Sequence, residues 1–453
     1  MSRCAFGRAK MAGPPLRAGL FNAGILLFAS VNVSGCGGNW WRETAILAVC
    51  KGVDEKGAEM PSAKNFFGLL EKLQSVDITV HQNRCAVVRN RNAKCMKCAE
   101  VCTSGCISYD DNELIISPEK CIGCGTCATV CPTCALEAHH PNDAELLHQC
   151  IQAMRAADGE VVIACEQIVQ AAEGLLDMEK VVSVTCLGRV EESLLTTLAV
   201  AGAKHVSLVE GKCAECEHVT GFHMAEKVRD TANTLLETWN SPMRVDLVKK
   251  FPHQVRLEGK ASFDADKRKF FTDMKSEAKT AAGTTADYAV KETLGIEDKP
   301  EPRFQKVMED GTLPHFIPDR RELLLNSLAS LGEPQDVMIE TRLWGHVIID
   351  PDKCSSCQMC ATFCPTGAIS KFTDEDGTFG VEHFPGDCVK CRCCTDICPK
   401  HALTLSDEVF AVDLLSGAVE RYEMKPLAHP IDDPHQIWHT MKDLLGCDQV
   451  YER

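Results

Sequence analysis

The chain has 453 residues, 45% of them hydrophobic, and a formal net charge of −16, so it is long enough for roughly two to four globular domains. The acidity, with no basic patch or interleaved aromatics, argues against nucleic-acid binding and suits docking to basic patches on protein partners. Its 28 cysteines fall in tight runs, which argues against a disulfide scaffold: two thiols three residues apart can share one metal centre but close only a strained disulfide loop.

At the N-terminus Arg3, Arg8, Lys10 and Arg17 precede an apolar stretch over residues 20–33 that is short for a membrane span. Val33-Ser34-Gly35-Cys36 follows, similar to a bacterial lipoprotein cleavage site with Cys36 as the acylated residue. Against export stands redox chemistry: a chain with so many thiols would scramble in an oxidising compartment, and no Arg-Arg pair marks the route for folded proteins. Residues 1–39 are therefore expected to be signal-like or to follow a start set too early. The expected location is the cytoplasm, the alternative an exported lipoprotein anchored through Cys36.

Residues 40–84 read as a small α/β element, with a strand over 45–49 and a helix over 65–73. Residues 85–145 are cysteine-rich. Residues 150–255 alternate short β-branched runs (161–164, 181–185, 205–209) with helical apolar spacing (191–201, 224–236), which predicts a parallel sheet with crossover helices. Residues 256–340 read as a polar linker followed by a helix over 320–331, closed by Gly332 and Pro334. Residues 341–410 repeat the cysteine-rich pattern, and the tail 411–453 holds a helix near 436–445.

The second cysteine-rich segment contains C-x2-C-x2-C-x3-C-P twice, as Cys354, Cys357, Cys360, Cys364-Pro365 and as Cys388, Cys391, Cys394, Cys398-Pro399. In two-cluster ferredoxins the first three cysteines hold one 4Fe–4S cube and the fourth ligates the other. That rule assigns Cys354, Cys357, Cys360 and Cys398 to one cube, and Cys388, Cys391, Cys394 and Cys364 to its partner. The first segment has one complete run, Cys121, Cys124, Cys127 and Cys131-Pro132, and one broken run, Cys95, Cys98 and Cys102, with Asn92 where the first ligand belongs. Cys102-Thr-Ser-Gly-Cys106-Ile aligns with Cys364-Pro-Thr-Gly-Ala368-Ile, so Cys102 crosses to join Cys121, Cys124 and Cys127. Cys95, Cys98 and Cys131 then lack a fourth ligand. Cys85 is the candidate, Cys106 its rival, and a three-iron cluster the third alternative. The resemblance, over about 85–140 and 345–405, is to dicluster ferredoxin domains, and it implies one-electron transfer between neighbouring cubes.

In the middle domain Cys165 and Cys186 end two predicted strands, and Cys213 and Cys216 follow a third. Carboxyl ends of parallel strands gather ligands, so these four thiols can meet; the alternative for Cys165 and Cys186 is burial in the core. Val162-Ile-Ala-Cys165, Cys186-Leu-Gly-Arg-Val190, Ala201-Gly-Ala-Lys-His205-Val206 and Gly211-Lys-Cys213-Ala-Glu-Cys216-Glu-His218 resemble the delta-subunit family of methyl-viologen-reducing hydrogenase. That family implies a 2Fe–2S cluster; zinc or an empty site is the alternative. A second cysteine usual after the first is absent here, and the last pair is more tightly spaced.

The fold class expected is α+β multidomain, two bacterial-type dicluster ferredoxin modules around a central α/β parallel-sheet domain. No G-x-G-x-x-G follows a predicted strand and no C-x-x-C-H occurs, so neither a dinucleotide nor covalent haem is indicated. The expected role is a relay subunit for other redox subunits of hydrogenase, flavoprotein or molybdenum-enzyme type. Electrons would enter one module, cross the middle cluster and leave by the other. A catalytic oxidoreductase and a redox sensor are the rivals.

Overall fold

The computed structural model describes residues 77–257, 305–426, 435–438 and 451–452. The expectations for residues 1–76, for 258–304 and for most of the helix near 436–445 lie outside the described residues. The architecture is α+β and multidomain, with ferredoxin-like regions and a central four-stranded parallel sheet.

The first ferredoxin-like region contains β1 (Ile78–Val80), α1 (Ala86–Arg89), α2 (Lys97–Val101), β2 (Ile107–Asp110), β3 (Glu113–Ile116), α3 (Thr126–Val130) and β4 (Leu136–Ala138). β1 pairs antiparallel with β4, placing Ile78 opposite Ala138. β2 and β3 form a hairpin turning on Asp111 and Asn112, at φ 45° and 61°. Two successive left-handed residues match the right-handed twist of a hairpin, and Asp and Asn tolerate that conformation best after glycine.

α4 (Asp143–Ala156) leads into the central domain. Asn142 and Glu145 close a capping box at its start, satisfying amides that have no partner within the helix. Then come β5 (Glu160–Cys165), α5 (Glu166–Ala171), β6 (Val181–Val184), α6 (Glu192–Val200), β7 (His205–Val209), α7 (Val219–Thr238) and β8 (Arg244–Val248). All pairs are parallel, in the order β6-β5-β7-β8. Val161 to Ala164 in β5 are fully buried because helices cover both faces. Val161 and Ile163 pack on Leu146, Leu195 and Val228, whereas Val162 and Ala164 pack on Ile168, Phe251 and Val255. The three expected strands and two expected helices are present. α7 begins five residues earlier than its apolar spacing indicates, and β8 is an additional edge strand.

Beyond β9 (Gln305–Lys306), α8 (Asp319–Leu331) and β10 (Met338–Glu340), the second ferredoxin-like region repeats the first. β11 (His346–Ile349) pairs with β14 (Leu403–Ser406) as β1 does with β4, and β12 (Ile369–Thr373) with β13 (Phe379–His383) as β2 does with β3. α9 (Met359–Thr362) and α10 (Cys393–Ile397) stand where α2 and α3 stand. β15 (Glu408–Phe410) pairs with β10, and β16 (Glu420–Glu423) extends the β12–β13 hairpin.

α8 ties the regions together. Its Arg320 donates to the Asp143 carboxylate and to Ala128 O, and Thr197 Oγ1 in α6 lies 2.9 Å from its Ser327 Oγ. Leu324 and Leu328 share a core with Leu235 and Trp239 of the central domain and with Ile339 and Trp344. Among the described residues, no helix is long and apolar enough to cross a membrane.

Candidate metal centres

Three of the four cysteine runs share one backbone shape. In each, the second and fourth residues after the first cysteine are left-handed: Gly123 and Gly125 at φ 68° and 71°, Ser356 and Gln358 at 59° and 51°, Lys390 and Arg392 at 53° and 64°. Non-glycine residues rarely hold positive φ unless their surroundings impose it. The alternation curls the loop so that successive thiols face one centre. A second signature recurs in all four runs: the third residue after the last cysteine is left-handed, as Gly105, Cys134, Gly367 and His401 at φ 62°, 47°, 75° and 49°. The next amide then turns back to the sulfur. Ala135 N donates to Cys131 Sγ and Ala402 N to Cys398 Sγ, each at 3.3 Å. Such N–H···S bonds favour added negative charge on a metal–sulfur centre.

The thiols converge in groups. Burial pushes Cys98 up to about 12, and Cys131, Cys85 and Cys95 are the neighbours that add to it. Burial likewise pushes Cys85 up to about 11, with Cys131 and Cys95 adding. Cys85, at the N-cap of α1, thus stands with the three thiols that lack a fourth partner. Burial raises Cys127 too, with Cys124 and Cys121 its foremost neighbours. Cys102 Sγ lies 3.4 Å from Cys106 Sγ, and Cys106 in turn neighbours Cys121. In the second region burial raises Cys394 strongly, with Cys391, Cys388 and Cys364 close by, and raises Cys360 beside Cys357 and Cys354. Cys398 and Cys354 pack in the same core cluster. Buried thiolates are costly without a cation, so these sets fit iron as the charge partner.

The central quartet also converges. β5 lies in the middle of the sheet with β6 on one side and β7 on the other, so the chain reverses direction across it. Cys165 closes β5 and its thiol points to Thr185 O at 3.7 Å; Cys213 and Cys216 lie in the loop between β7 and α7. Burial pushes Cys213 up to about 11, with Cys165 and Cys216 beside it. Burial pushes Cys186 up to about 12, and the first neighbour adding to it is Cys124 of the first cysteine region, ahead of Cys165 and Cys213. Among the described residues, no three His, Cys, Asp or Glu side chains stand close enough to share one metal ion. Four thiolates on a zinc would lie only about 3.8 Å apart.

Two seams join these groups. At one, α3 packs on the Cys186–Arg189 turn and on α7: Gly188 and Gly221 lie against Thr126, and a side chain at Gly221 would collide with Cys186 Sγ. Thr129 Oγ1 donates to Arg189 O, and Thr220 Oγ1 to Val101 O. At the other seam, Cys393 and Phe363 share a buried cluster with Ala86 and Ala93, against which Cys95 and Cys391 pack. Arg89, 1% exposed, donates to Phe363 O and Cys364 O. Lys94 N donates to Asp396 Oδ2 at 2.8 Å.

The extra thiols have structural places. Cys134 occupies the left-handed position that Gly367 and His401 fill elsewhere, and Cys393 donates to Phe363 O at 3.8 Å within the second seam. That seam has no motif of its own; the unusual cysteine-cysteine pair Cys393-Cys394 was its only sequence signal.

Comparison with known proteins agrees with this geometry. The 4Fe-4S dicluster domain family matches residues 345–402, and the 4Fe-4S binding domain family matches residues 114–137. Ferredoxin-1 of Caulobacter vibrioides is 38% identical over 52 residues, 12% of this chain and 46% of that protein. Electron transport protein HydN of Escherichia coli K12 is 48% identical over 40 residues (9% and 23%), and ferredoxin 7Fe of Hydrogenibacillus schlegelii is 44% identical over 39 (9% and 50%). The chain thus spans half or less of these relatives. Residues 114–137 and 345–402 thus carry cysteine motifs that bind 4Fe–4S clusters, and over such stretches the chain is similar to ferredoxins and to an electron transport protein.

Proposed function

We propose that the chain is an electron relay of an anaerobic oxidoreductase complex, carrying four 4Fe–4S cubes and a 2Fe–2S cluster between partner redox subunits. The proposed ligand sets are Cys85, Cys95, Cys98 and Cys131; Cys102, Cys121, Cys124 and Cys127; Cys388, Cys391, Cys394 and Cys364; Cys354, Cys357, Cys360 and Cys398; and the quartet Cys165, Cys186, Cys213 and Cys216. Each centre supplies one-electron chemistry when bound. The observation that carries the relay is the seam at which Cys95 and Cys391 pack on the cluster around Cys393. It brings the two ferredoxin-like regions into direct contact.

This contact favours an order different from the one expected from sequence. Cys186 lies beside Cys124, so the central quartet is proposed as one end of the wire and not its middle. Next come the Cys102 set, the Cys85 set, the Cys364 set and, at the far end, the Cys354 set. For the quartet, the resemblance to the hydrogenase delta-subunit family favours 2Fe–2S over zinc. The cytoplasm is the proposed setting, because a reducing compartment keeps so many cysteines available to iron.

The test is a Cys213→Ser/Cys216→Ser variant of the full chain, purified and reduced without oxygen. Iron should fall by about two atoms per chain, while freeze-quenched EPR still shows electrons equilibrating between the two ferredoxin-like regions. If equilibration stops, the central domain lies between them and the proposed order is wrong.

A further inference from the structure

The four cysteine runs offer an internal comparison. The residue four places after the last cysteine is Ala135, Ala368 or Ala402 in three runs and Cys106 in the fourth. All four side chains are buried, at 1%, 2%, 2% and 4% exposure, so the place is built for a methyl group. The thiol at Cys106 is the one departure, and its Sγ lies 3.4 Å from Cys102 Sγ. Ser104 Oγ is also 3.4 Å from that sulfur, matching Thr133 beside Cys131 and Thr366 beside Cys364. Hydroxyl contacts are therefore made to three of the four crossing ligands, Cys398 being followed two places on by Lys400, whereas the thiol contact is particular to Cys102.

A sulfur bound to iron is a thiolate and has no proton to give. In the Cys102–Cys106 contact the donor must then be the Cys106 S–H. The Cys106 backbone is held in place, because strand β2 begins at the next residue and Ser117 N donates to its carbonyl at 2.8 Å, and its side chain is buried.

We propose that Cys106 is a positioning residue whose S–H donates to Cys102 Sγ and raises the reduction potential of the cube held by Cys102, Cys121, Cys124 and Cys127. The inference rests on the ligand sets proposed above. A donor to a ligand sulfur stabilises the more negative, reduced cube more than the oxidised one. In the proposed order this cube is next to the central quartet, so a raised potential draws electrons from the quartet into the ferredoxin-like wire and slows their return.

The experiment compares Cys106→Ala, Cys106→Ser and Cys102→Ser in the full chain, by iron and sulfide content and by EPR-monitored redox titration. Cys106→Ala installs the residue found at the other three places. It should keep all iron and shift one cube to lower potential, reducing its reduced-to-oxidised ratio about three- to tenfold at a fixed poise. Cys106→Ser, which keeps a donor, should recover part of that shift. Iron loss in Cys106→Ala would make Cys106 a ligand, and unchanged potentials in that variant would make it mere filling; either result overturns the proposal. Cys102→Ser checks the underlying ligand set separately: full iron retention there would refute the set itself.

Discussion

Arg89→Met tests whether the contact between the ferredoxin-like regions holds the relay together. The Arg89 guanidinium donates to Asn83 O at 3.2 Å, Pro314 O at 2.9 Å, Phe363 O at 3.4 Å and Cys364 O at 3.3 Å. Hydrogen bonds from a charged group contribute about 1.5–3 kcal/mol each, but they are not additive, and a buried carbonyl left without a donor costs about 1–3 kcal/mol. Two acceptors keep a second partner, because Cys393 Sγ also donates to Phe363 O and His315 Nδ1 lies 3.0 Å from Cys364 O. The expected loss is therefore that of the two other carbonyls, Asn83 O and Pro314 O, about 3 kcal/mol. Methionine roughly conserves volume, which keeps a cavity from adding to the cost. The assay is anaerobic denaturant unfolding followed by visible cluster absorbance, with iron counted beforehand. Iron content should match the parent, the first loss of absorbance should move to lower denaturant, and equilibration between the two regions should slow. A loss under about 1 kcal/mol with unchanged equilibration would refute the reasoning, since that is the scale of a surface pair.

Cys85→Ser should lose one cube or convert it to a three-iron cluster, read as about four or one fewer iron atoms per chain; an unchanged count would remove Cys85 from the ligands. Gly221→Ala should push Cys186 Sγ out of place and cost the proposed central cluster first, so iron falls by about two while the cube signals persist. His383, 1% exposed and stacked on His346, is held down to about 4 by burial and by His346, against the pull of Glu420. Its folded value lies below its unfolded 6.5, so the unfolded state binds the proton first and stability drops as pH falls from 6.5 toward 4. Between pH 7 and 5 this amounts to about 2 kcal/mol, and His383→Leu should flatten that slope in denaturant titrations.

Sequence and structure agree where one physical constraint acts alone. The complete motifs were legible because a cube fixes both spacing and backbone sign at once, and the buried β5 was legible because a strand covered on both faces must be continuously apolar. β8 was missed because Arg244 and Asp246 are exposed and interrupt its apolar run, as an edge strand allows. α4 carried two readable signals, the Asn142–Glu145 capping box and a buried stripe of Leu146, Cys150, Ala153 and Met154 at helical spacing. α7 starts early because its first turn serves the Cys213–Cys216 loop and Val101 O instead of the core. The order proposed for the centres was not legible at all. Chain order places the middle domain between the two cysteine-rich segments, but order along the chain does not constrain which surfaces meet, and the seam depends on Arg89 and Cys393, neither of which belongs to a motif, together with Cys95.

The broken run and the seam have one cause. A regular loop would need left-handed residues at 94 and 96, the places equivalent to Gly123 and Gly125, but neither Lys94 nor Met96 has a positive φ, and Met96 sits at −122°. The residues of this loop face the other ferredoxin-like region instead: Lys94 N reaches Asp396, Lys97 Nζ reaches Lys390 O, and Cys95 packs on the Cys393 cluster. Straightening the loop toward that surface takes residue 92 away from the cube, so a ligand there would be out of reach. The proposed replacement, Cys85, stands at the N-cap of α1, and the same short helix ends in Arg89, the residue that grips the far side. A full C-x2-C-x2-C run at this place would rebuild the curl and lift Cys95 off the seam. An Asn92→Cys/Cys85→Ser double variant should therefore fail to restore electron equilibration between the two regions even if it restores iron, and full recovery of both would show that the loop's departure is incidental to the contact.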